Sequence, residues 1–294
     1  MNSILKICLP MITLSLLLSS CAHALIWDGK IIEVKNNQSL SLPELAQKIS
    51  NSDQVILGEK HNTPSIQLAQ ASVMEAVLDQ SPQKDFTTAW EFLNYTTQEQ
   101  TKDAFEQFTS GKISVADFLT MTQGNSKYMS YAPIIELTKK RGGKILGVNL
   151  PRKDKDPVVA GGIQSANPGT IPPAFEMGGK NYFERFTAAM EGHATPEQIQ
   201  NYFAAQCLTD DVMAFHLLKD SNSPLKFLVV GSFHSEYDDG TVARLLKRAP
   251  ELKIANLRFI DASDYSESEL KSIATDPKYG DLADYIYFVN EPNP

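Results

Sequence analysis

The chain has 294 residues and a formal net charge of −8 at neutral pH. This length is sufficient for one large domain or two small ones. The acidic balance argues against a nucleic-acid-binding protein, because such proteins carry a basic surface that neutralises phosphates. Apolar residues make up 42% of the chain, so we expect a globular core.

The amino-terminal residues have the pattern of an export signal. Lys6 precedes a largely apolar run over residues 7–18, and small residues then lead to Cys21. A charged start, a short apolar core and small residues are typical of a secretory signal. Leu18-Ser19-Ser20-Cys21 is similar to a bacterial lipobox, in which the cysteine is lipidated and becomes the mature N-terminus. We therefore predict a lipoprotein signal peptide over 1–20 and a lipid anchor on Cys21; the alternative is a plain signal peptide.

The residues after the signal indicate where the protein resides. Ala22 rather than aspartate follows the cysteine, which resembles the pattern for sorting to the outer membrane. No later run approaches the roughly 20 apolar residues that a spanning helix needs. We therefore predict an outer-membrane lipoprotein that faces the periplasm or the cell surface. Only Cys207 is left for the folded body, which predicts no disulfide framework.

Apolar runs and amphipathic segments alternate through most of the chain. Residues 21–40 read as a tether with a weak edge strand at 31–34, and Ser41 and Glu44 form a capping box that begins a helix. Alternating strands and helices predict a mostly parallel sheet covered by helices. We therefore predict a single α/β domain over 41–294. Its predicted strands lie at 54–58, 86–92, 144–148, 226–231, 253–257 and 285–289, and further helices lie at 62–78, 98–108, 115–121, 131–141 and 241–247.

The alternation breaks after the third of these strands. Residues 153–180 are rich in glycine and proline and show little periodicity. A long segment of this kind inside a compact domain is usually functional or mobile. The pattern over 181–219 is helical again. We therefore predict a helical insertion at about 153–224 that lies over the carboxyl edge of the sheet.

Two of the predicted strands end in the same motif, Gly-x-x-His. The motif occurs at Gly58–His61 and again at Gly231–His234. Because parallel strands present their carboxyl ends at one edge of a sheet, both motifs are expected to reach one pocket. Glu59, His61 and His234 would there bind a metal, activate water or hold a ligand. The alternative is a hydrogen-bonded network that only stabilises the end of the sheet.

Other polar residues are predicted near the same edge. Asn149 and Arg152 would orient the network or bind a carboxylate, the arginine through its planar fork; the alternative for Arg152 is a surface side chain after a proline turn. Glu91 lies between two aromatic residues, which favours a buried and paired acid. Gln206 and Asp210 lie four residues apart on one helical face and would reach the same centre.

The predicted insertion differs from the sheet edge in its chemistry. Tyr182, His193 and Tyr202 belong to residue types that can hold haem iron. A stripe of aromatic residues and methionine on a helix is more often core than a cofactor site, so both interpretations stay open. The sequence contains no P-loop, no dinucleotide-binding glycine motif, no His-Glu-x-x-His and no Gly-x-Ser-x-Gly.

An ordered set of motifs resembles the haem-binding ChaN-like lipoproteins and covers about residues 41–246. The motifs are Gly58–Pro64 with Gln70, Trp90–Phe92, Tyr131–Pro133, Gly147–Arg152, Gln206–Ala214 and Gly231–His234. The resemblance implies an α/β core with a helical region, haem binding and a role in iron acquisition. It also implies a homodimer that encloses haem between its subunits.

The resemblance does not place the ligand of the haem iron on a motif of this sequence. Tyr182, Tyr202 and His193 therefore stay candidates from composition alone, with basic residues available for the haem propionates at Arg152, Lys180 and Arg185. The wider superfamily is similar to proteins proposed to be metal-dependent proteases and to erythromycin esterases. It implies a competing function, a periplasmic hydrolase that uses Glu59 and His61 as base or ligands, with His234 opposite. A third class is a lipoprotein adaptor without a small ligand.

Overall fold

The computed structural model describes residues 27–125 and 127–291. The predicted signal peptide over 1–20 and the predicted lipidation site Cys21 lie outside these residues. Within them, no helix combines the length and the apolar character that crossing a bilayer requires.

The centre of the described part is an eight-stranded mixed sheet. Its strands follow the spatial order β2-β1-β10-β7-β3-β6-β4-β5. Neighbours from β10 to β5 are parallel, whereas β1 is antiparallel to both β2 and β10. The predicted mostly parallel α/β sheet is therefore confirmed. The strands are β1 (Ile31–Glu33), β2 (Gln38–Leu40), β3 (Gln54–Glu59), β4 (Phe86–Asn94), β5 (Lys144–Asn149), β6 (Leu225–Gly231), β7 (Ile254–Asp261) and β10 (Tyr285–Val289), with β8 (Thr275–Asp276) and β9 (Gly280–Asp281) as a separate pair.

Helices cover both faces of this sheet. Ser41 forms the predicted capping box, because its hydroxyl accepts from the Glu44 amide at 3.4 Å while its own amide donates to the Glu44 carboxylate at 2.8 Å. The helices are α1 (Leu42–Ile49), α2 (Pro64–Gln80), α3 (Gln98–Thr109), α4 (Val115–Gln123), α5 (Ala132–Lys140), α6 (Arg152–Gly161), α7 (Lys180–Met190), α8 (Pro196–Lys219), α9 (Gly240–Arg248) and α10 (Glu267–Ser272).

Alternation along the central strands assigns their side chains to two cores. Val55 and Leu57 of β3 pack in the core with α2 and α5, whereas Ile56 packs in the core with α8 and α9. Every residue of β3 and β6 is buried, as expected for parallel strands that helices cover on both faces. The strand ends are therefore the places where these two strands can expose functional groups.

The direction of the chain reverses between β3 and β6. Connections from β3 run through α2 towards β4 and then β5, whereas connections from β6 run back through α9 towards β7 and β10. Helices on opposite faces leave a crevice at the carboxyl ends of strands where such a reversal occurs. β3 and β6 are the strands that carry the two Gly-x-x-His motifs.

Two elements differ from the sequence-based expectation. Most of α6 lies in the glycine- and proline-rich stretch over 153–180 that shows little periodicity, although Pro157 lies inside the helix. Val158 of this helix is buried against Ala204 and Leu208 of α8, and this packing compensates for the proline. β7 extends to Asp261 rather than ending at residue 257. In addition, the second half of α8 covers a sheet face through Met213 and Leu217, so only the earlier part of the predicted insertion lies at the carboxyl edge.

Candidate functional site

The structure brings the two Gly-x-x-His motifs together at the carboxyl edge of the sheet. Glu59 is the last residue of β3 and its side chain is 1% exposed, whereas the side chain of His61 is 38% exposed. His234 lies in a helical turn directly after β6 and is buried. Glu91 of β4 lies between the two histidines. The predicted meeting of Glu59, His61 and His234 is thus observed in the fold.

Glu59 fixes the orientation of His61. Its Oε1 lies 2.9 Å from Nδ1 of His61, and the hydroxyl of Tyr131 donates to the same oxygen. Its Oε2 accepts from the amide of Gln67 at 2.9 Å. Because Nδ1 of the imidazole is held by this buried carboxylate, Nε2 faces away from it. A histidine that holds a metal or acts on a ligand is commonly oriented in this way.

Glu91 bridges the two imidazoles. Its Oε2 accepts from the backbone amide of Gly231 at 2.6 Å and lies 3.8 Å from Nε2 of His61. Its Oε1 lies 3.4 Å from Nε2 of His234. The carboxylate therefore faces two histidine nitrogens and one backbone donor at the end of the sheet.

Asp210 of α8 completes the network on the other side of the sheet. Its Oδ1 lies 2.6 Å from Nδ1 of His234 and accepts from Thr241 at 3.2 Å, and its Oδ2 accepts from Tyr182 at 2.8 Å. The amide of Gln206 is within 3.0 Å of both His234 Nδ1 and the Tyr182 hydroxyl. Since the proton on Nδ1 is directed to Asp210, the Gln206 amide donates to the tyrosine oxygen instead.

The charges of this network stabilise one another. Burial disfavours a charged His234, but the carboxylates of Glu91 and Asp210 outweigh burial and raise its pKa to about 10. Burial also opposes a charge on Glu91, but His234, His61 and the Gly231 amide together lower its pKa to about 2. Burial lowers the pKa of His61, but its hydrogen bond to Glu59 and the charge of Glu91 outweigh burial and raise it. The buried imidazole of His234 is therefore protonated at neutral pH.

His61 opens into a cleft of about 520 Å³, which we call the His61 cleft. Its walls include Phe186 and Met190 of α7 and Phe233 after β6. The cleft is lined by Glu59, Lys60, His61, Phe186, Ala189, Met190, Gln206, Gly231, Ser232, Phe233, His234, Arg258, Phe259, Asp261, Asp264 and Tyr265. Apolar walls with a few convergent polar groups are the usual composition of a small-molecule site.

The aromatic candidates from the helical insertion are placed differently. Tyr182 is fully buried, and its hydroxyl is engaged by Asp210. Tyr202 is half-buried on α8 beside the cluster around Tyr182, and His193 is exposed between α7 and α8. None of Tyr182, Tyr202 and His193 is among the residues that line the His61 cleft.

The basic and amide candidates also lie outside the network. Arg152 is the first residue of α6, its side chain is 92% exposed, and its Nε lies 3.6 Å from Asp156. Asn149 ends β5 and its buried Oδ1 has no hydrogen-bond partner. Lys180 is exposed, whereas Arg185 is buried and its Nη2 lies 3.0 Å from Asp239. Of the cations that do line the cleft, sequence reasoning named neither Lys60 nor Arg258.

Tyr131 and Gln67 are the members of the network that the sequence did not identify as site residues. Tyr131 precedes α5 and reaches Glu59 from a different part of the chain, without a local signal. Gln67 and Gln70 of α2 are both fully buried. A glutamine on the apolar face of a helix requires a buried partner, and this was the available signal. Gln70 has such a buried partner, because its amide donates to the carbonyl of Leu57 at 3.1 Å.

The fold and the site define a class of protein: a mostly parallel α/β domain with a charged histidine–carboxylate centre at its topological switch point. Residues 45–245 match the family model described as haem-binding uptake, Tiki superfamily, ChaN. The chain therefore belongs to the ChaN family of the Tiki superfamily. The comparison with curated proteins gave no match.

Solved structures show where this fold occurs. The chain is similar to ChaN of Campylobacter jejuni, described as showing cofacial haem binding, with a TM-score of 0.67 and 21% identity over 87% of this chain and 95% of that chain. It is less similar to the type III effector HopBA1, with a TM-score of 0.46 and 12% identity over 85% of this chain and 93% of that one. For an erythromycin esterase in its open conformation the TM-score is 0.44 and the identity 10%, over 79% and 76% of the two chains. The first likeness shows the fold, and the two weaker ones support no functional argument.

Proposed function

We propose that this protein binds haem in the His61 cleft and takes part in haem or iron acquisition as an outer-membrane lipoprotein. The observation that carries the proposal is a half-exposed imidazole, held by a buried carboxylate, in a cleft with aromatic walls. Membership of a family described by haem-binding uptake supports the choice of ligand. Haem, when bound, would supply the iron and porphyrin that uptake delivers.

The residues of the cleft fit haem by their chemistry. Phe186, Met190 and Phe233 offer apolar surface for a porphyrin face. Four of the lining side chains belong to types that hold haem iron: His61, Met190, His234 and Tyr265. Both nitrogens of the buried His234 face carboxylates, so we consider His61 through Nε2 and Tyr265 through its hydroxyl as the ligands to test. An imidazole that is protonated on Nε2 cannot bind iron. His61 would therefore have to lose this proton in order to act as the ligand, although Glu59 and Glu91 raise its pKa. In its protonated form it would instead bind a propionate.

Cations at the rim suit the haem propionates. Lys60 lies 2.7 Å from Asp264, and Arg258 lies 2.9 Å from Glu236. The lysine side chain is 54% exposed, so it can exchange Asp264 for a propionate at little cost.

We also propose a lipid anchor and a homodimer for this protein. The lipid anchor on Cys21 would hold the protein at the outer membrane. A homodimer would cover the open side of the cleft, because haem left half-exposed keeps a large apolar face in water. Cofacial haem binding in the Campylobacter jejuni protein supports this arrangement.

Adding haem to the purified protein is expected to shift the Soret band with saturable stoichiometry of about one haem per chain. Size-exclusion chromatography with and without haem tests the dimer in the same samples. Absence of a saturable Soret change would rule out the proposed function.

Variants then identify the residue that holds the iron. If Tyr265 is the ligand, Tyr265→Phe abolishes the spectrum of the bound form while His61→Ala lowers affinity only through the lost contact to a propionate. If His61 is the ligand, His61→Ala abolishes the spectrum of the bound form and Tyr265→Phe does not. Tyr182→Phe is the matched control, because its hydroxyl is buried and bonded to Asp210. A change of spectrum in that control would contradict the assignment of haem to the His61 cleft.

Replacing Gly231 by alanine is expected to disturb the cleft more than the fold. A Cβ atom at this position would lie 2.8 Å from Nε2 of His61 and 3.2 Å from Oε2 of Glu91. The half-exposed imidazole has room to swing away, so we expect roughly tenfold weaker haem binding with a fall in stability of about 1–2 kcal/mol. Haem titration and urea unfolding measure the two effects. Unchanged haem affinity would argue that His61 does not need its observed orientation.

A hydrolase is the second candidate, and the Glu59–His61 pair facing the cleft is the observation that favours it. Burial lowers the pKa of His61, but Glu59 and Glu91 outweigh burial and raise it, so the imidazole is a stronger proton acceptor than an ordinary histidine. Ester or peptide hydrolysis that is lost in His61→Ala, with haem binding intact, would favour the hydrolase.

A further inference from the structure

A second cavity lies apart from the His61 cleft, between the loop that leads into α7 and the helix α9. Its volume is about 360 Å³. We call it the Arg244 cavity, and it is lined by Ala174, Glu176, Met177, Gly178, Gly179, Asp211, Asp239, Ala243, Arg244, Lys247 and Arg248. It shares no lining residue with the His61 cleft.

Arg244 lines this cavity and has buried donors without a hydrogen-bond partner. The residue is only 8% exposed. Its Nη1 donates to the carbonyl of Gly240 at 2.9 Å, whereas Nε and Nη2 are buried without a hydrogen-bond partner. Buried donors of a charged group are costly to leave unpaired. Nε and Nη2 form one edge of the guanidinium fork, the edge that binds two oxygens of one anion.

The acids around the cavity are already engaged by other cations. Asp211 accepts from Arg248 at 2.6 and 3.0 Å, and Asp239 accepts from Arg185 at 3.0 Å. Glu176 is paired with Lys247. Asp210, the nearby acid on α8, is bonded to His234, Tyr182 and Thr241.

The neighbouring thiol does not balance Arg244 either. Burial raises the pKa of Cys207 to about 12, so the thiol is neutral. Its sulfur accepts from the backbone amide of Gly178 at 3.2 Å. Burial disfavours the charge of Arg244, and the charge of Asp210 outweighs burial and raises its pKa, but no carboxylate is bonded to Nε or Nη2.

The helix α7 begins at the wall of this cavity, because its N-cap Gly179 is one of the lining residues. Gly179 is its N-cap and provides no side chain to cap the helix. The first intrahelical bond runs from the Phe183 amide to the Gly179 carbonyl at 3.1 Å, so the amides of residues 180–182 have no partner within the helix. Free amides and the helix dipole attract anions at such an end.

We propose that the Arg244 cavity binds a phosphoryl group, through the guanidinium edge of Arg244 and the free amides at the start of α7. The same chemistry is offered by free phosphate and by the headgroup of a phosphate monoester lipid. Met177 beside the cavity is 43% exposed and Leu246 of α9 is 37% exposed. These apolar side chains would contact a lipid surface, so the experiment has an arm for each source.

Isothermal titration of the purified protein with inorganic phosphate is the first arm, with chloride as the control anion. A flotation assay with phosphatidylcholine vesicles, with and without phosphatidic acid, is the second. Saturable 1:1 heat without vesicle capture identifies a free ion, and capture that requires phosphatidic acid identifies a lipid. Absence of both overturns the proposal.

Two variants test the site itself. Arg244→Gln is expected to weaken binding at least about tenfold, the usual effect of losing a charge-assisted pair of bonds. Lys112→Gln removes an equal charge from an exposed surface position and should leave binding unchanged. Equal binding by the Arg244 variant and the native protein overturns the proposal.

Gly179→Asp is a second test of the Arg244 cavity, and its result does not depend on whether Arg244→Gln folds well. Gly179 has the extended conformation of an N-cap, and a Cβ there meets no atom within 4 Å. The new carboxylate would cap α7, occupy its free amides and repel an anion, so melting temperature is maintained or raised while binding is lost. Undiminished binding in this variant contradicts the site. Haem titration of the same variants should match the native protein, which separates failure of this proposal from failure of the haem proposal.

Discussion

Replacing Glu91 by glutamine is expected to lower the free energy of unfolding at pH 7 by about 3 kcal/mol, because it breaks a buried ion pair from one side. The native carboxylate accepts from Gly231 at 2.6 Å and lies 3.4 Å from Nε2 of His234. Glutamine keeps the shape but removes the charge that holds one imidazolium in the interior. The new side-chain NH2 group would also face one of the three donors that surround the native carboxylate.

The same substitution should also lower the pKa of His234 from its present value of about 10, since Glu91 is the strongest contributor that raises it. Urea unfolding measures the stability, and NMR of histidine-labelled protein measures the titration. Asp103→Asn is the matched control, because it removes an acid from an exposed position of α3. If the Glu91 variant unfolds at the same urea concentration as this control, the bridging role of Glu91 is wrong.

The stability of the protein is expected to fall as the pH rises from about 6.5 to 10. His234 has an ordinary pKa of 6.5 that the fold raises to about 10. A raised pKa means that the folded state binds the proton more tightly, so the contribution is complete below pH 6.5 and is lost as the pH passes 10. A rise of this pKa from 6.5 to about 10 corresponds to on the order of 5 kcal/mol at most.

The stability of the protein should also fall below pH 4.5, which gives the pH profile an acid limb beside the alkaline limb described above. The fold lowers the pKa of Glu91 from 4.5 to about 2, so its contribution is present above pH 4.5 and is lost as the pH falls through 2. This limb reports the same ion pair as the alkaline limb, so the two energies do not add. Melting temperatures from pH 2 to 10.5 should show a plateau between the limbs. His234→Gln should flatten the alkaline limb and also reduce the acid limb, because His234 is the main group that lowers the pKa of Glu91. An unaltered alkaline limb in that variant would contradict the assignment.

The meeting of Glu59, His61 and His234 was predictable because its cause is local. Two apolar runs that end in Gly-x-x-His predict buried parallel strands, and such strands place their carboxyl ends on one edge. The bridging position of Glu91 depends on more than this rule. β4 neighbours β6 rather than β3, and its register changes after Trp90. Strand order and register arise from long-range pairing, which a local pattern does not contain.

Tyr182 shows the limit of composition as evidence for a ligand. Aromatic residues at helical spacing fit both a hydrophobic core and a haem site, and the pattern is the same in either case. Tertiary packing places this tyrosine at 0% exposure with its hydroxyl on Asp210. Tertiary packing also decides the secondary structure of α6, because burial of Val158 compensates for the helix-breaking Pro157.

The alternation of strands and helices around a mostly parallel sheet, and the position of two histidine motifs at one edge, follow from the sequence alone. The period of apolar residues encodes these features within short windows of chain. The tertiary structure was needed to show that Glu91 bridges His61 and His234, that α7 contributes an aromatic wall to the cleft, and that Arg244 has buried donors without a partner. Those features depend on distances between residues far apart in the chain, which are set by packing of the whole core.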